Sequence, residues 1–337
     1  MKIRIEEIDR GEGRSAILIG GAAGNQSMEL RGALIIDKPA GMTSHDVVAR
    51  VRRIFKTRRV GHAGTLDPFA TGVLVVCVGN ATRLTQFLVG LDKRYTATIR
   101  FGYATDSHDI TGKRVTATES SKLLRVEDIT TVLLDFIGPQ LQMPPMYSAK
   151  KVAGERLYRA AREGRDVERQ ACPITIHSLA LLGGPAAIVE NPDGTSDAAV
   201  SVHCSSGTYI RRLAHDIGER LQIGAHLVAL RRESVGPHHV GQAVPLERLE
   251  RLEQPNQTSA FLLTPADAIK HMPKLEVTED EILRIRNGRQ LDLDRVRLGS
   301  LQPGEVVGLC DRSGELQAVG ELMAEPCVLK PRMVLTV

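Results

Sequence analysis

Residues 61–68 read Gly61-His62-Ala63-Gly64-Thr65-Leu66-Asp67-Pro68, and the rest of the chain is best read outward from them. Two glycines and a proline impose a tight, non-regular backbone, because glycine tolerates positive φ and proline fixes its own. Asp67 sits inside that turn, directly before the proline, where its carboxylate is held and aimed. An Asp before Pro is also an ordinary turn cap, so spacing alone leaves a structural and a chemical reading open. A basic run, residues 50–59, lies just upstream. Residues 31–60 carry eight Lys/Arg against two Asp, +6 in thirty residues of a chain whose whole net charge is +4. Such a patch is either the footprint of a nucleic acid or phosphate partner, or a solvated helix face.

A chain of 337 residues with 42% hydrophobic content has room for a large core and two domains. Its five cysteines are scattered, odd in number and without a C-x-x-C pair. That argues against disulfides and a zinc site and fits a reducing cytoplasm. No stretch has the length of a membrane span, and the acidic start is wrong for a signal peptide. A cytoplasmic location is therefore expected, with no membrane partner.

The first thirty residues are Gly-rich and read as an extension, with Met28 an alternative start. From Gly32 the pattern sharpens. Residues 33–36 read as a strand, residues 38–41 as a turn, and Ser44 as the N-cap of a helix running to Phe55. Residues 73–78 and 95–101 read as strands. Residues 140–164 contain Met143-Pro144-Pro145-Met146-Tyr147 and then a basic segment, and read as a surface insertion. Residues 200–204 form a strand. Residues 210–221 form a helix whose core face is Ile210, Leu213, Ala214, Ile217 and Leu221. Residues 251–271 read as a linker, within which Thr264-Pro265 opens a short helix. Residues 272–337, with one helix at 279–287 and short strands at 306–309, 316–320 and 333–337, read as a small β-rich domain.

Arg211 complements Asp67. It falls in the first turn of its helix, where a cation opposes the macrodipole. Arg212 has Asp216 at i+4, but Arg211 has no acid on its own helix. A tertiary carboxylate is expected, and Asp67 is the natural candidate; an Arg free in solvent is the alternative. Tyr95, Tyr103, Tyr147, Tyr158 and Tyr209 lie beside basic residues in several cases, which suits stacking on unpaired bases. His62 can be a general base, a stacking group or a turn donor. No nucleophile elbow, P-loop, G-x-G-x-x-G or H-E-x-x-H is present.

These residues fall into a known pattern. Asp37-Lys38-Pro39-x-Gly41-x-Thr43-Ser44 is followed by Gly61-His62-x-Gly64-x-Leu66-Asp67-Pro68-x-Ala70-Thr71-Gly72. Then come Asp92-Lys93-x-Tyr95, Pro144-x-Met146-Tyr147-Ser148-Ala149-x-Lys151, Gly207-Thr208-Tyr209-Ile210-Arg211 and Gly224-Ala225-His226-x-x-x-Leu230-Arg231-Arg232. In this order they resemble the TruB family of bacterial tRNA pseudouridine synthases, which isomerise uridine 55 in the T-loop of tRNA. The resemblance implies an α+β fold, with a central mixed, largely antiparallel sheet flanked by helices. It implies a thumb-like insertion at about 140–164 within a catalytic domain at 31–250. A looser resemblance makes the C-terminal part a PUA-like β-barrel.

By the same resemblance Asp67 is the catalytic aspartate, Arg211 its ion-pair partner, and Tyr95 the residue stacked on the target base. Leu230 walls the pocket, Lys38 and Pro39 shape it from below, and His62 enters the RNA loop. Tyr209 and Lys151 complete the substrate contacts. The implied partner is the tRNA T-arm stem-loop, bound by a monomer that needs no protein partner, cofactor or metal. Two other readings stay open at this point. One is a related synthase acting on another RNA. The other is a tRNA-binding or tRNA-folding protein without catalysis.

Overall fold

The computed structural model describes residues 31–115, 124–147, 151–152, 155–156, 165, 167–252, 255–292, 299–324 and 328–335. The expected extension, with Met28, and most of the basic insertion, including Lys150, Arg159 and Arg162, lie outside the described residues. The first body is organised by β1 (Gly32–Lys38), α1 (Ser44–Ile54), β2 (Val60–His62), β3 (Thr71–Val78) and β4 (Lys93–Phe101). It continues with α2 (Val126–Asp135), β5 (Gly138–Gln142), β6 (Cys172–Leu181), β7 (Ser196–Cys204), α3 (Ile210–Leu221), β8 (Ala225–Val235) and β9 (Val244–Pro245).

These strands belong to one eleven-stranded sheet with the path β9-β1-β3-β8-β4-β7-β6-β5. Pairs along the path are antiparallel except β1–β9 and β3–β8. Burial explains the composition of each strand. β3 is apolar and buried from Gly72 to Val78, as a strand covered on both faces must be. β7 alternates buried and half-buried positions, so only one face is covered. α2 and α3 cover β4, β6, β7 and β8, whereas α1 covers β1 and β3. The α3 stripe is buried as its spacing requires.

The β3–β8 pair joins the two halves of the sheet, matching Thr71 with Arg231 and Gly72 with Arg232. Gly72 has φ +96°, and a Cβ there would collide with the Arg232 backbone. Glycine is needed on both counts.

Four sequence expectations change. The N-cap of α1 is Thr43, not Ser44: Thr43 and Asp46 form a reciprocal capping box, and Ser44 is buried for another purpose. Residues 140–142 are not insertion but the end of β5, paired with β6. The segment 251–271 is built into the body rather than left as a linker. It holds helical turns at Pro255–Ser259 and Pro265–Ala268, Leu263 exchanges backbone hydrogen bonds with Ala33, and Ala266, Ala268 and Ile269 are buried. Its polar composition hid a few apolar anchors. The last strand spans Val328–Val334 rather than 333–337. Pro331, which has no N–H to donate, faces Gly320 beside a register shift, where the ladder tolerates a missing donor.

The C-terminal body is a curled five-stranded sheet. Its elements are β10 (Lys274–Glu276), α4 (Glu279–Arg286), β11 (Leu291–Asp292), β12 (Val306–Cys310), β13 (Leu316–Leu322) and β14 (Val328–Val334), in the order β10-β12-β13-β14-β11. Val319, Met333 and Leu335 pack in one cluster with Ala33, Val75 and Leu84. Arg83 also donates to the Val334 carbonyl at 2.5 Å, so the two bodies share an apolar seam. Among the described residues, no helix is long and apolar enough to cross a membrane.

Candidate active site

The loop carrying Asp67 is fixed from below. The Ser44 hydroxyl accepts from Leu66 N at 2.9 Å and donates to Leu66 O at 3.2 Å. Lys38, fully buried, donates from Nζ to the carbonyls of Pro39 (2.8 Å), Pro68 (3.3 Å) and Ala70 (2.7 Å). Gly41 N donates to Pro68 O at 2.9 Å. The end of β1 and the start of α1 thus hold the turn that aims Asp67. Burial pushes the Lys38 ammonium down to about 8, against the pull of the nearby Asp67 carboxylate.

Arg211, buried in the first turn of α3, closes on Asp67: its Nε lies 2.9 Å from Oδ2 and its Nη2 donates to Oδ1 at 3.2 Å. The expected tertiary acid is therefore present. A second one, unforeseen, lies on the other side. Arg211 Nη1 donates to Asp109 Oδ2 at 3.3 Å and to the Ser107 carbonyl at 3.2 Å, and Nη2 donates to the Tyr147 carbonyl at 2.7 Å. These contacts engage all three guanidinium nitrogens. Asp109 is held in turn by Ser107 Oγ, Thr111 N and Thr111 Oγ1 on its other oxygen.

Asp67 opens into a cavity of about 250 Å³ lined by Leu66, Tyr95, Tyr209, Arg211 and Leu230, among others. That is slightly below the usual range for small-molecule sites, roughly 300–1,000 Å³. About a third of the Asp67 side chain (32%) is accessible, yet burial of the carboxylate among its neighbours still raises its pKa. Arg211 opposes that rise and Asp109 adds to it. Tyr95 is 8% exposed and packs with Leu66 and Leu230. Burial raises its hydroxyl, with Arg232 opposing, so it is a neutral phenol at ordinary pH. Tyr209, at the start of α3, is oriented by Gln142, whose amide accepts from Tyr209 N at 2.8 Å and donates to Tyr209 O at 3.1 Å.

His62 ends β2 and meets His45 edge-on at 5.4 Å. Burial pushes it down to about 4, and its buried Nδ1 has no hydrogen-bond partner among the described residues. A neutral imidazole suits insertion among bases better than it suits phosphate binding. Pro39 lies beneath the loop through its carbonyl. Lys151 lies in a short β-pair, Lys151–Val152 with Glu155–Arg156. In the basic patch Arg50 is engaged by Glu250 at 3.3 Å, while Arg53, Lys56 and Arg58 are exposed. Asp92, His177 and His203 bring three potential metal-ligand atoms within 4.8 Å of one another; Asp92 and His177 pair at 3.1 Å.

Sequence reasoning missed the contributions of Ser44, Asp109 and Gln142, and of two further cavity residues, Lys93 and Arg232. Asp109 carried one local signal, a Thr two residues on that suits an Asx-type turn. Nothing local ties it to an Arg 102 residues away.

Comparison with known proteins follows the same lines. Residues 52–210 match the TruB family pseudouridylate synthase (N terminal domain), and residues 211–269 match the tRNA pseudouridylate synthase B C-terminal domain. A tRNA pseudouridine synthase B of Saccharophagus degradans is 40% identical over 309 residues, covering 90% of this chain and 96% of that protein. The chain belongs to the TruB family. A second TruB-family relative, the tRNA pseudouridine synthase B of Syntrophotalea carbinolica, is 47% identical over 259 residues, covering 77% of this chain and 81% of that one. As a TruB-family member the chain is a tRNA pseudouridine synthase, an isomerase that acts on tRNA. The crystal structure of a Cbf5-Nop10-Gar1 complex has the same fold, with a TM-score of 0.67 and 23% identity over 91% of this chain and 85% of that one.

Proposed function

We propose that the enzyme isomerises uridine 55 in the T-loop of tRNA, with Asp67 as the catalytic group. The observation that carries this is Asp67 itself: one carboxylate at a cavity, held from below by Lys38 and Ser44 and from the side by Arg211. The reaction breaks N1–C1′, turns the uracil and joins C5 to C1′. It is redox-neutral and consumes no water. One carboxylate can suffice because the departing base stays in the pocket, whereas a glycosidase generally needs two. Asp67 either attacks C1′ or takes the C2′ proton to give a glycal.

In this reading Tyr95 stacks on the flipped base, Leu230 and Tyr209 wall it, and His62 fills the space the base leaves in the loop. Flipping costs a few kcal/mol; the exposed cations of residues 52–58 and the insertion that carries Lys151 offset it through phosphate contacts. The enzyme works as a cytoplasmic monomer on the T-arm stem-loop, with residues 31–250 catalytic and 272–337 a PUA-like RNA-binding domain.

Asp67→Asn tests the assignment. It is expected to bind a T-arm stem-loop normally and to form no pseudouridine at position 55. Turnover within roughly tenfold of wild type, a barrier change of only about 1.4 kcal/mol, would remove Asp67 from the chemistry. Pseudouridine at another position of the tRNA would remove the T-loop assignment.

A further inference from the structure

The cavity that holds the Asp67–Arg211 pair is also lined by two cations that the reading above does not use. Lys93 opens β4, two residues before Tyr95, so both side chains leave the same face of the strand. Arg232 lies directly opposite Tyr95 in the β4–β8 register. Both line the cavity, and both are nearly sealed from solvent, at 6% and 1% exposure.

Their partners are backbone carbonyls and, for Arg232, the Tyr95 hydroxyl. Lys93 Nζ donates to Val89 O at 2.7 Å and Leu91 O at 2.5 Å. Arg232 donates to Val73 O from Nε at 2.7 Å, and from Nη1 and Nη2 to Thr65 O at 3.4 Å and Gly64 O at 3.1 Å. Among the described residues neither has a carboxylate within ion-pairing distance. A buried charge ordinarily persists only with a counter-ion. Two side by side, fixed by carbonyls with N–H donors to spare, form a preorganised site for negative charge.

The reaction generates that charge. When N1–C1′ breaks, the bonding pair leaves with the uracil and spreads over N1, O2 and O4. This holds whether Asp67 forms a bond to C1′ or accepts the C2′ proton. C5 then bonds to C1′ as the Asp67–C1′ bond breaks or as Asp67 returns its proton to C2′; the C5 hydrogen departs as a proton and N1 gains one, so no net proton is consumed. We propose that Lys93 and Arg232 form a cationic wall that stabilises the uracil anion between N1–C1′ cleavage and C5–C1′ formation. Cations fixed before charge develops need no reorganisation, which is the usual source of large electrostatic rate effects. The proposal rests on the Asp67 cavity being the uridine site.

Single-turnover kinetics on two tRNA transcripts test it, one with uridine and one with 5-fluorouridine throughout, by following the C-linked nucleoside after nuclease digestion; the fluorinated base has no C5 proton to lose, so its C-linked nucleoside keeps fluorine on a saturated C5 and takes up water across the N1=C6 bond. Fluorine withdraws electrons and stabilises the departing anion without the protein's help. Lys93→Met is expected to slow the uridine reaction by ~100-fold or more, the scale of a lost charge-stabilising donor. Its deficit on 5-fluorouridine should shrink to under about a tenth of that, with tRNA affinity unchanged. Arg232→Lys, which keeps the charge but shortens its reach, should show the same pattern and serves if Lys93→Met fails to fold. Equal deficits on both substrates would mean a structural role and overturn the proposal. A loss of tRNA affinity matching the loss of rate would overturn it too, by making the cations phosphate ligands. Asp67→Asn, run in parallel, should be inactive on both transcripts. If it is active, the reading of the cavity fails; if it is inactive while the Lys93→Met deficits are equal, only the wall fails.

Discussion

Arg211 sits between two carboxylates, and that changes what its removal should do. Arg211→Met strands both Asp67 and Asp109 in a desolvated site, at a cost of about 3–5 kcal/mol. Asp67→Asn leaves Arg211 with Asp109 and two carbonyls, so it should cost only ~1 kcal/mol. In the double variant Asp67→Asn should relieve part of the Arg211 damage but not all, because Asp109 stays unpaired. Urea denaturation of the four proteins checks this; effects that add within about 0.5 kcal/mol would mean the pair is not coupled. The need of Arg211 for a distant acid was legible in the sequence, because helix geometry states which neighbours a side chain lacks. That there are two acids was not, because Asp109 reaches the site through a loop whose path no periodicity encodes. Lys93 and Arg232 stood in plain view inside recognisable motifs, but only burial and the absence of counter-ions among the described residues give them a role.

At the scale of elements, the site depends on the parallel contact between β3 and β8. Gly72→Ala should push β3 off Arg232 and displace both the Asp67 loop and the cavity wall. Activity is expected to fall by ~100-fold, as misplacement of about 1 Å can cost, with a loss of ~1–3 kcal/mol from the strained φ. Thermal melting and single-turnover rates check both; a fully active, fully stable variant would show that the two strands can separate without harm. Strands such as β1, β3 and β4 and the helix α3 were legible because periodicity and apolar runs are local properties. The packing of residues 255–269 and the start of β14 were not, because a few buried contacts outweighed a polar or proline-containing sequence. Ser44 shows the same limit on a smaller scale. Its type suits an N-cap, but Thr43 one residue earlier has Asp46 for a reciprocal partner, and burial of Ser44 against the loop decides between them.

For the whole molecule, the histidines set the response to acid. Seven of the ten (His62, His108, His203, His215, His226, His238 and His271) are lowered from 6.5, each chiefly by burial. The unfolded chain therefore binds protons near pH 6.5 that the folded chain refuses until about 4 at His62 and about 3 at His108. Stability rises with pH through that window and is lost as pH falls through it. Asp67, raised by burial, works in the opposite sense but is one group against several. Urea midpoints are expected to drop steadily from pH 6.5 toward 4; a flat profile would mean these rings are protonated in the folded state. Charge distribution makes a second prediction at this scale. If the exposed cations of α1 and the segment after it meet phosphates, affinity for a T-arm stem-loop should fall steeply with salt, with a log–log slope of several units, roughly 0.7–0.9 per phosphate contact. A slope near zero between low and moderate salt would place RNA elsewhere.

The pairing of Asp67 with a residue 144 positions later also has a consequence during synthesis. At roughly 5–20 residues per second, a ribosome needs about 7 to 29 s to travel from one to the other. Through that interval the nascent chain carries its acid without its guanidinium, and β3 without the strand that will flank it. The seam with the C-terminal sheet closes later still, since Met333 and Leu335 belong to it. The site is thus a late product of synthesis: a chain halted before β8 has the acid but lacks Leu230 and Arg232 of the cavity wall.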